Sequence, residues 1–352
     1  MLPETVPPTH PLSESSPLLA RLDQALADRA ASPSAPGFAL SWLQHGRVLR
    51  RHVQGCAHLE WDAPLTEHTR CYLASEAKPW VSALVLQAVV DGQLDLMDDL
   101  RAHLPALAEV EHPIRIGHAL RHTSGLPDYL SLWHAQLAHH ENDLVDQAQA
   151  LALIARSGGL RFVPGERYEY SNSNYVLLAE RLQQISGLGL AELAQQRLFG
   201  PWGLRDTGFE RDPWRVLPRR ARSYARDPSG AWRDQPVPLA SWGDGGLWST
   251  LADLERAEAA WLADWQARGL HSLLARAMAD DGRFAPPGQS YRFGVEVLSR
   301  GGHDVVFHGG AYAGFRALCL RRPATGEALL VLSNRDEDAD TSAPDWMNLL
   351  WP

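Results

Sequence analysis

Tyr72-Leu73-Ala74-Ser75-Glu76-Ala77-Lys78-Pro79 leads directly into Trp80-Val81-Ser82-Ala83-Leu84-Val85-Leu86-Gln87-Ala88-Val89-Val90. The second stretch is apolar nearly all round, which predicts a central buried helix from Ser75 to about Asp91 rather than an amphipathic surface helix. Pro79 removes one early backbone bond, tolerable only near the first turn. Ser75 and Lys78, three residues apart, then share one face of that helix. Lys78 is the only lysine in the chain: the other 32 of its 33 Lys+Arg residues are arginine.

That solitary lysine has a chemical meaning. Arginine serves ion pairs and surface charge as well as lysine does, but a pKa above about 12 prevents it from giving up a proton in a protein. Serine is a poor nucleophile until a neighbour takes its proton, and a neutral amine beside Ser75 could do so. A helix N-terminus there would also present N–H groups to a developing oxyanion. A serine at a helix start with a basic residue one turn later is equally an ordinary cap, so other motifs must decide.

Working outward, Ser16-Pro17 opens a helix with Leu18, Leu19, Leu22 and Leu26 on one face. Two strands follow at Phe38-Leu43 and Val48-Gln54, joined by a turn at His45-Gly46. Helical segments alternate with Pro/Gly loops from about 91 to 285, including Asp143-Arg156, Tyr175-Gln184 and Leu251-Trp265, the last capped by Thr250 with Asp253 three residues on. Strands return at Tyr291-Leu298, Asp304-His308, Phe315-Leu320 and Ala328-Ser333, with turns at Gly301-Gly302 and Pro323-Gly326. The early hairpin must pair with these late strands to hide its edges. The expected fold class is α+β: an antiparallel β-sheet flanked by helices, with an inserted mostly helical domain. The expected division is a flexible tail at 1–15, a sheet domain from 16–74 plus 286–352, and a helical domain at 75–285, with the active site at their junction.

Composition narrows the function. Apolar content of 45% and charged content of 21% suit a globular chain. A formal charge of −9 argues against nucleic acid, since phosphate binding needs a basic face. No apolar run approaches the eighteen or so residues of a membrane span, and the acidic, proline-rich N-terminus lacks a signal-peptide pattern; the expectation is a cytoplasmic protein. Cys56, Cys71 and Cys319 lack metal-ligand spacing and read as buried free thiols. His140-Glu141 lacks a second histidine at metalloprotease spacing. Neither metal nor cofactor is expected.

Two further motifs complete a constellation: Tyr170-Ser171-Asn172 and His308-Gly309-Gly310. Together with Ser75-x-x-Lys78 they resemble the serine β-lactamase and penicillin-binding-protein superfamily, in its class C-like branch of esterases, D-aminopeptidases and DD-peptidases. The likeness is collinear over about residues 15–335. It extends through Ile114-Leu126, Tyr168-Tyr175 and Gly245-Asp253, each similar to a recurring family segment. The resemblance implies a β-lactamase/transpeptidase-like fold, with Ser75 as acylated nucleophile and Lys78 with Tyr170 sharing proton transfer. It makes Asn172 the group that orients Lys78 and donates to substrate, and the N–H groups of Ser75 and Ala311 the oxyanion hole. His308 and Gly310 would shape the substrate site.

Lysine and tyrosine titrate near 10.4 and 10, so each must fall by about 3 pH units, roughly 4 kcal/mol, to act as a base near neutrality. Burial would lower Lys78, and the neighbouring ammonium would lower Tyr170; the pair together is named as base. Trp133, Trp242 and Trp248 lie in loops near the motifs and, with Tyr129, could line an acyl or aromatic pocket, although packing between helices explains any single tryptophan better. His122-Thr123-Ser124-Gly125 reads as a structural turn. One departure matters: the third motif of β-lactamases begins with lysine, whereas here His308 is mostly neutral, which weakens recognition of a β-lactam carboxylate.

These readings point to a serine hydrolase that forms an acyl-enzyme at Ser75 on a small ester, amide or short peptide. The alternatives are a β-lactamase, DD-peptidase or D-aminopeptidase, an acyltransferase or peptide cyclase, and a non-catalytic binding module.

Overall fold

The computed structural model describes residues 17–29, 32–135, 143–268, 273–278, 282–288 and 290–352. The expected tail at 1–15 and His140-Glu141 lie outside the described residues. Seven strands make the main sheet: β1 Phe38–Gln44, β2 Arg47–Gln54, β3 Tyr291–Arg292, β4 Val295–Arg300, β5 His303–Tyr312, β6 Phe315–Arg322 and β7 Glu327–Ser333. Their order is β3-β4-β5-β6-β7-β1-β2, and every pairing is antiparallel. β1 pairs with β7, Phe38 facing Ser333, so the first hairpin closes onto the last strands as its exposed edge required.

Five helices position the site: α1 Pro17–Asp28, α2 Lys78–Val90, α3 Ser173–Ser186, α4 Leu251–Arg268 and α5 Ala343–Leu350. α1 and α5 cover one face of the sheet, where Leu19, Leu22, Leu26, Trp346 and Leu350 pack with Phe38, Leu40, Trp42 and Val331. The other face, with Ala39, Leu43, Leu330 and Leu332, packs with the helical stretch of the chain through residues such as Trp80, Val81 and Trp261. Covered on both sides, β1 is buried along its whole length, which is why its sequence lacks the alternation of a half-exposed strand. No described helix is long and apolar enough to cross a membrane. Cys56, Cys71 and Cys319 are buried free thiols.

Three element boundaries differ from expectation. The strand expected over Tyr291-Leu298 breaks at Phe293-Gly294, where φ is 53° and 86°; a Cβ on Gly294 would lie 2.4 Å from Ser82 Oγ, so this kink presses on α2. The helix expected from Asp143 begins at Gln147, because Val145–Asp146 pairs with Leu239–Ala240 and Asp146 with Gln149 forms a capping box. The helix expected from Ser75 begins at Lys78, preceded by a 3₁₀ turn over Ala74–Ala77. The cap of α4 is as expected: the Asp253 N–H donates to Thr250 Oγ1 at 3.1 Å.

Candidate active site

The turn that carries Ser75 is held from both sides. Before it, Tyr72 pairs with Trp248 in a small sheet and the Leu73 N–H donates to Leu247 O at 2.9 Å. Ala74 then adopts φ 48°, a left-handed conformation costing a β-carbon residue about 1–3 kcal/mol, of the kind that clusters at functional sites. It swings the chain abruptly into the 3₁₀ turn. On the other side β5 comes so close that a Cβ on Gly310 would sit 1.9 Å from Leu73 O and 3.2 Å from Glu76 N. Only glycine fits there.

Lys78, fully buried, donates from Nζ to Ser75 Oγ at 3.0 Å, to Asn172 Oδ1 at 2.9 Å and to the Asp244 carbonyl at 2.9 Å. The Tyr170 hydroxyl donates to the same Ser75 Oγ at 3.0 Å. Asn172 is itself fixed, its N–H donating at 2.6 Å to Asp128 Oδ2, while Asp128 Oδ1 caps the helix Tyr129–His134 through the Ser131 N–H. Burial lowers Lys78 to about 8, with Asp244 and Asp128 opposing. Tyr170 moves the other way: burial pushes it up, the bond to Ser75 only partly offsets this, and Asp244 and Asp128 raise it further. The expectation that the ammonium would lower Tyr170 is therefore corrected. The Nζ lies 4.9 Å from the ring centroid, while the ring packs on His122, centroids 4.2 Å apart and planes tilted by 33°.

His308, Gly309, Gly310 and Ala311 on β5 line an open cleft of about 580 Å³ with Ser75 and Tyr170. Arg316, Asp338, Thr341 and Ser342 also line it, none of them singled out from sequence. The two-residue turns at Gly301-Gly302 and Ala313-Gly314 set the registers on either side of β5, with Arg300 opposite His303 and Tyr312 opposite Phe315. By alternation, even-numbered residues of β5 bond toward β6, and the Ala311 N–H points to the opposite side. The pairing of β4 with β5 ends at Phe307, so no described strand occupies that side at Ala311. His308 is buried and lowered to about 3, chiefly by burial. A neutral ring satisfies both of its contacts: Nδ1–H donates to Gly309 O at 2.6 Å, and Nε2 accepts from the Tyr291 hydroxyl at 3.0 Å.

Two expected pocket residues lie elsewhere. Tyr129 is fully buried, with its hydroxyl 2.6 Å from Ser241 Oγ and donating to Asp244 Oδ2 at 2.8 Å. Trp242 is buried beneath the Arg211 guanidinium, 5.2 Å from the ring centroid, and is absent from the cleft lining. Trp133 and Trp248 are core residues, Trp248 packing on Tyr72 and Phe315. Ser124 is buried and accepts the Leu126 N–H at 3.1 Å, so His122-Gly125 is a structural turn. Sequence reasoning passed over Asp244, Asp128, His122 and Tyr291. A signal for Asp244 existed: it is an acidic residue set among Gly243, Gly245 and Gly246, and a Cβ on Gly243 would lie 2.3 Å from Tyr175 O.

The chain is 29% identical over 330 residues to a D-aminopeptidase of Gluconobacter oxydans, covering 92% of this chain and 60% of that protein. It therefore spans about three-fifths of that relative's length. The fold matches that of an octameric penicillin-binding protein homologue from Pyrococcus abyssi, with a TM-score of 0.76, 22% identity, and coverage of 90% of this chain and 73% of that one. It also matches a D-stereospecific amidohydrolase from Streptomyces sp., with a TM-score of 0.71, 23% identity, and coverage of 90% and 94%. The Beta-lactamase family model matches residues 22–350, and the chain belongs to that family of serine hydrolases.

Proposed function

We propose that this protein hydrolyses small amides and short peptides, with a D-configured residue on the acyl side, through an acyl-enzyme at Ser75. The observation that carries the reading is that Ser75 Oγ lies 3.0 Å from both Lys78 Nζ and the Tyr170 hydroxyl. Attack forms the Oγ–carbon bond while the serine proton passes to the Lys78 amine, the member of the pair that burial makes the weaker acid-holder. The N–H groups of Ser75 and Ala311 receive the oxyanion. Tyr170, held protonated, donates to the departing nitrogen, and the proton that Lys78 took from Ser75 restores its hydroxyl. Water, activated by Lys78, then releases the acid. The D-configuration is supported by the D-aminopeptidase and amidohydrolase relatives. A β-lactam substrate is not favoured, because His308 is neutral and both ring nitrogens are engaged.

The test pairs a probe with a substrate panel. A fluorophosphonate should add one adduct to the wild-type protein and none to Ser75→Ala by intact mass; an adduct persisting at another serine would overturn the nucleophile. D-amino-acid amides should show higher kcat/KM than their L-isomers and than a fluorescent penicillin, and the reverse order would overturn the substrate class.

A further inference from the structure

β5 loses its neighbour where the cleft begins. Its pairing with β4 ends at Phe307, opposite Glu296, and β4 itself starts only at Val295, out of the Phe293-Gly294 turn. On the side where β4 would continue, β5 presents the carbonyl of Gly309 and then the N–H of Ala311, because alternate residues of an antiparallel strand bond toward the same neighbour. Two successive glycines are the most freely rotating backbone a chain offers, so Gly309 and Gly310 do not fix these groups by themselves. Gly310 is held by its close approach to Leu73 O and Glu76 N. Gly309 needs a different restraint.

The ring of His308 supplies it. Nδ1 lies 2.6 Å from Gly309 O. A carbonyl can only accept, so Nδ1 carries the proton. In a neutral ring Nε2 is then a bare acceptor, and in a buried histidine it requires a donor. The Tyr291 hydroxyl, 3.0 Å away, is that donor. Burial keeps Tyr291 protonated and His308 neutral. Tyr291 is 1% exposed, and its ring packs among those of His122, Tyr168 and Tyr170, with centroids 4.6 to 6.1 Å away, so the hydroxyl is held at Nε2.

We propose that Tyr291 is a positioning residue for the oxyanion hole: by donating to His308 Nε2 it fixes the Nδ1–H tautomer, which holds the Gly309 carbonyl and, through Gly310, the peptide that carries the Ala311 N–H. The inference rests on the acyl-enzyme reading above, in which that N–H receives the oxyanion. Tyr291 touches no substrate and exchanges no proton. Its role parallels that of the aspartate in a Ser-His-Asp arrangement, which sets the histidine tautomer, except that here the histidine orients backbone and transfers no proton. With phenylalanine at 291 the ring proton is free to move to Nε2. The Nδ1 lone pair then faces the Gly309 oxygen, two acceptors in contact, and the peptide turns away.

The test reads tautomer and rate separately. In protein labelled with 15N in its histidine rings, the His308 signals are those missing from His308→Asn. Wild type should show Nδ1 protonated and Nε2 bare, and Tyr291→Phe should show the proton wholly or partly on Nε2. The same variant should lose about 10-fold in kcat/KM, less than the roughly 10²–10³-fold of a deleted oxyanion donor, because the Ala311 N–H is displaced and not removed. The loss should be equal on D-amino-acid amides and p-nitrophenyl esters, since both reactions build the oxyanion. A residue that only packed would lower Tm and leave the tautomer in place. A wild-type ring protonated on Nε2, a Tyr291→Phe ring that keeps Nδ1–H, or a tautomer switch without loss of rate each overturns the proposal. If Tyr291→Phe does not fold, two other variants carry the test. His308→Asn, whose amide N–H stands near the Nδ1 position, should retain several-fold more kcat/KM than His308→Gln, whose amide stands near Nε2; the reverse order overturns the proposal. Failure to hydrolyse any D-amide, with the tautomer switch and the ester loss intact, would defeat the substrate reading and leave the role of Tyr291 standing.

Discussion

Glu76 and Lys78 leave the same turn, are both fully buried, and end in different chemical states. Glu76 meets the sheet side, beside Cys319 and 3.9 Å from the Arg321 guanidinium of β6. Arg321 gives its short bonds, 2.6 to 3.0 Å, to Glu258 of α4. Burial therefore prevails and pushes Glu76 up to about 8, a neutral acid near neutrality. Lys78 meets the helical side, where each ammonium N–H has an oxygen at 2.9 to 3.0 Å. Burial brings it down to the same region. Equal burial thus gives one group that fills space and one that, in the proposed reaction, exchanges a proton with Ser75; the difference lies in whether hydrogen-bonding partners were built around it.

The strongest way to break this contrast is to remove the exchangeable proton. Lys78→Arg keeps a cation but no usable base, and should slow fluorophosphonate labelling of Ser75 by about 10³-fold. Because a guanidinium is bulkier in a fully buried site, Lys78→Met should be measured alongside, with Tm recorded for both. Labelling of either variant at the wild-type rate would remove Lys78 from the chemistry and put it on the same footing as Glu76. Next in size is Tyr170→Phe, with an expected loss of about 10²-fold on amides. The loss should be much smaller on p-nitrophenyl esters, whose leaving group departs without a proton. Equal losses on both substrates would place Tyr170 in the attack by Ser75, which the two reactions share, rather than in protonating the leaving group.

What could be read from sequence follows the range of the interactions. Ser75 and Lys78 are three residues apart, so a helical turn alone predicts their approach, and the edges of a lone hairpin demand the late strands. The left-handed turn at Ala74 has no sequence signal, since alanine gives no hint of positive φ. Asp244 reaches Lys78 across 166 positions and Tyr129 across 115, distances over which no periodicity operates. Tyr129 and Trp242 show the reverse problem: an aromatic side chain near a motif announces burial but not which surface it is buried against. The upward shift of Tyr170 comes chiefly from burial, with the distant Asp244 and Asp128 adding to it.

The gentlest test acts on Glu76. Its carboxyl ionises near the usual 4.5 in the unfolded chain but only at about 8 in the folded one. Between those values the folded protein holds one more proton, so its stability falls as pH rises through that window and levels off above it. Glutamine copies the neutral acid at every pH and carries no such dependence. The Tm of Glu76→Gln relative to wild type should therefore be nearly constant below pH 4.5. It should then climb in the variant's favour up to about pH 8, by about 1–2 °C for each kcal/mol recovered. Lys78, lowered in the folded state, makes both proteins gain stability with pH from about 8 to 10.5, and this contribution cancels in the difference. A Tm difference that stays flat across the range would show that Glu76 is ionised beside Arg321, and that the sheet side of the turn holds a working ion pair instead of a neutral filler.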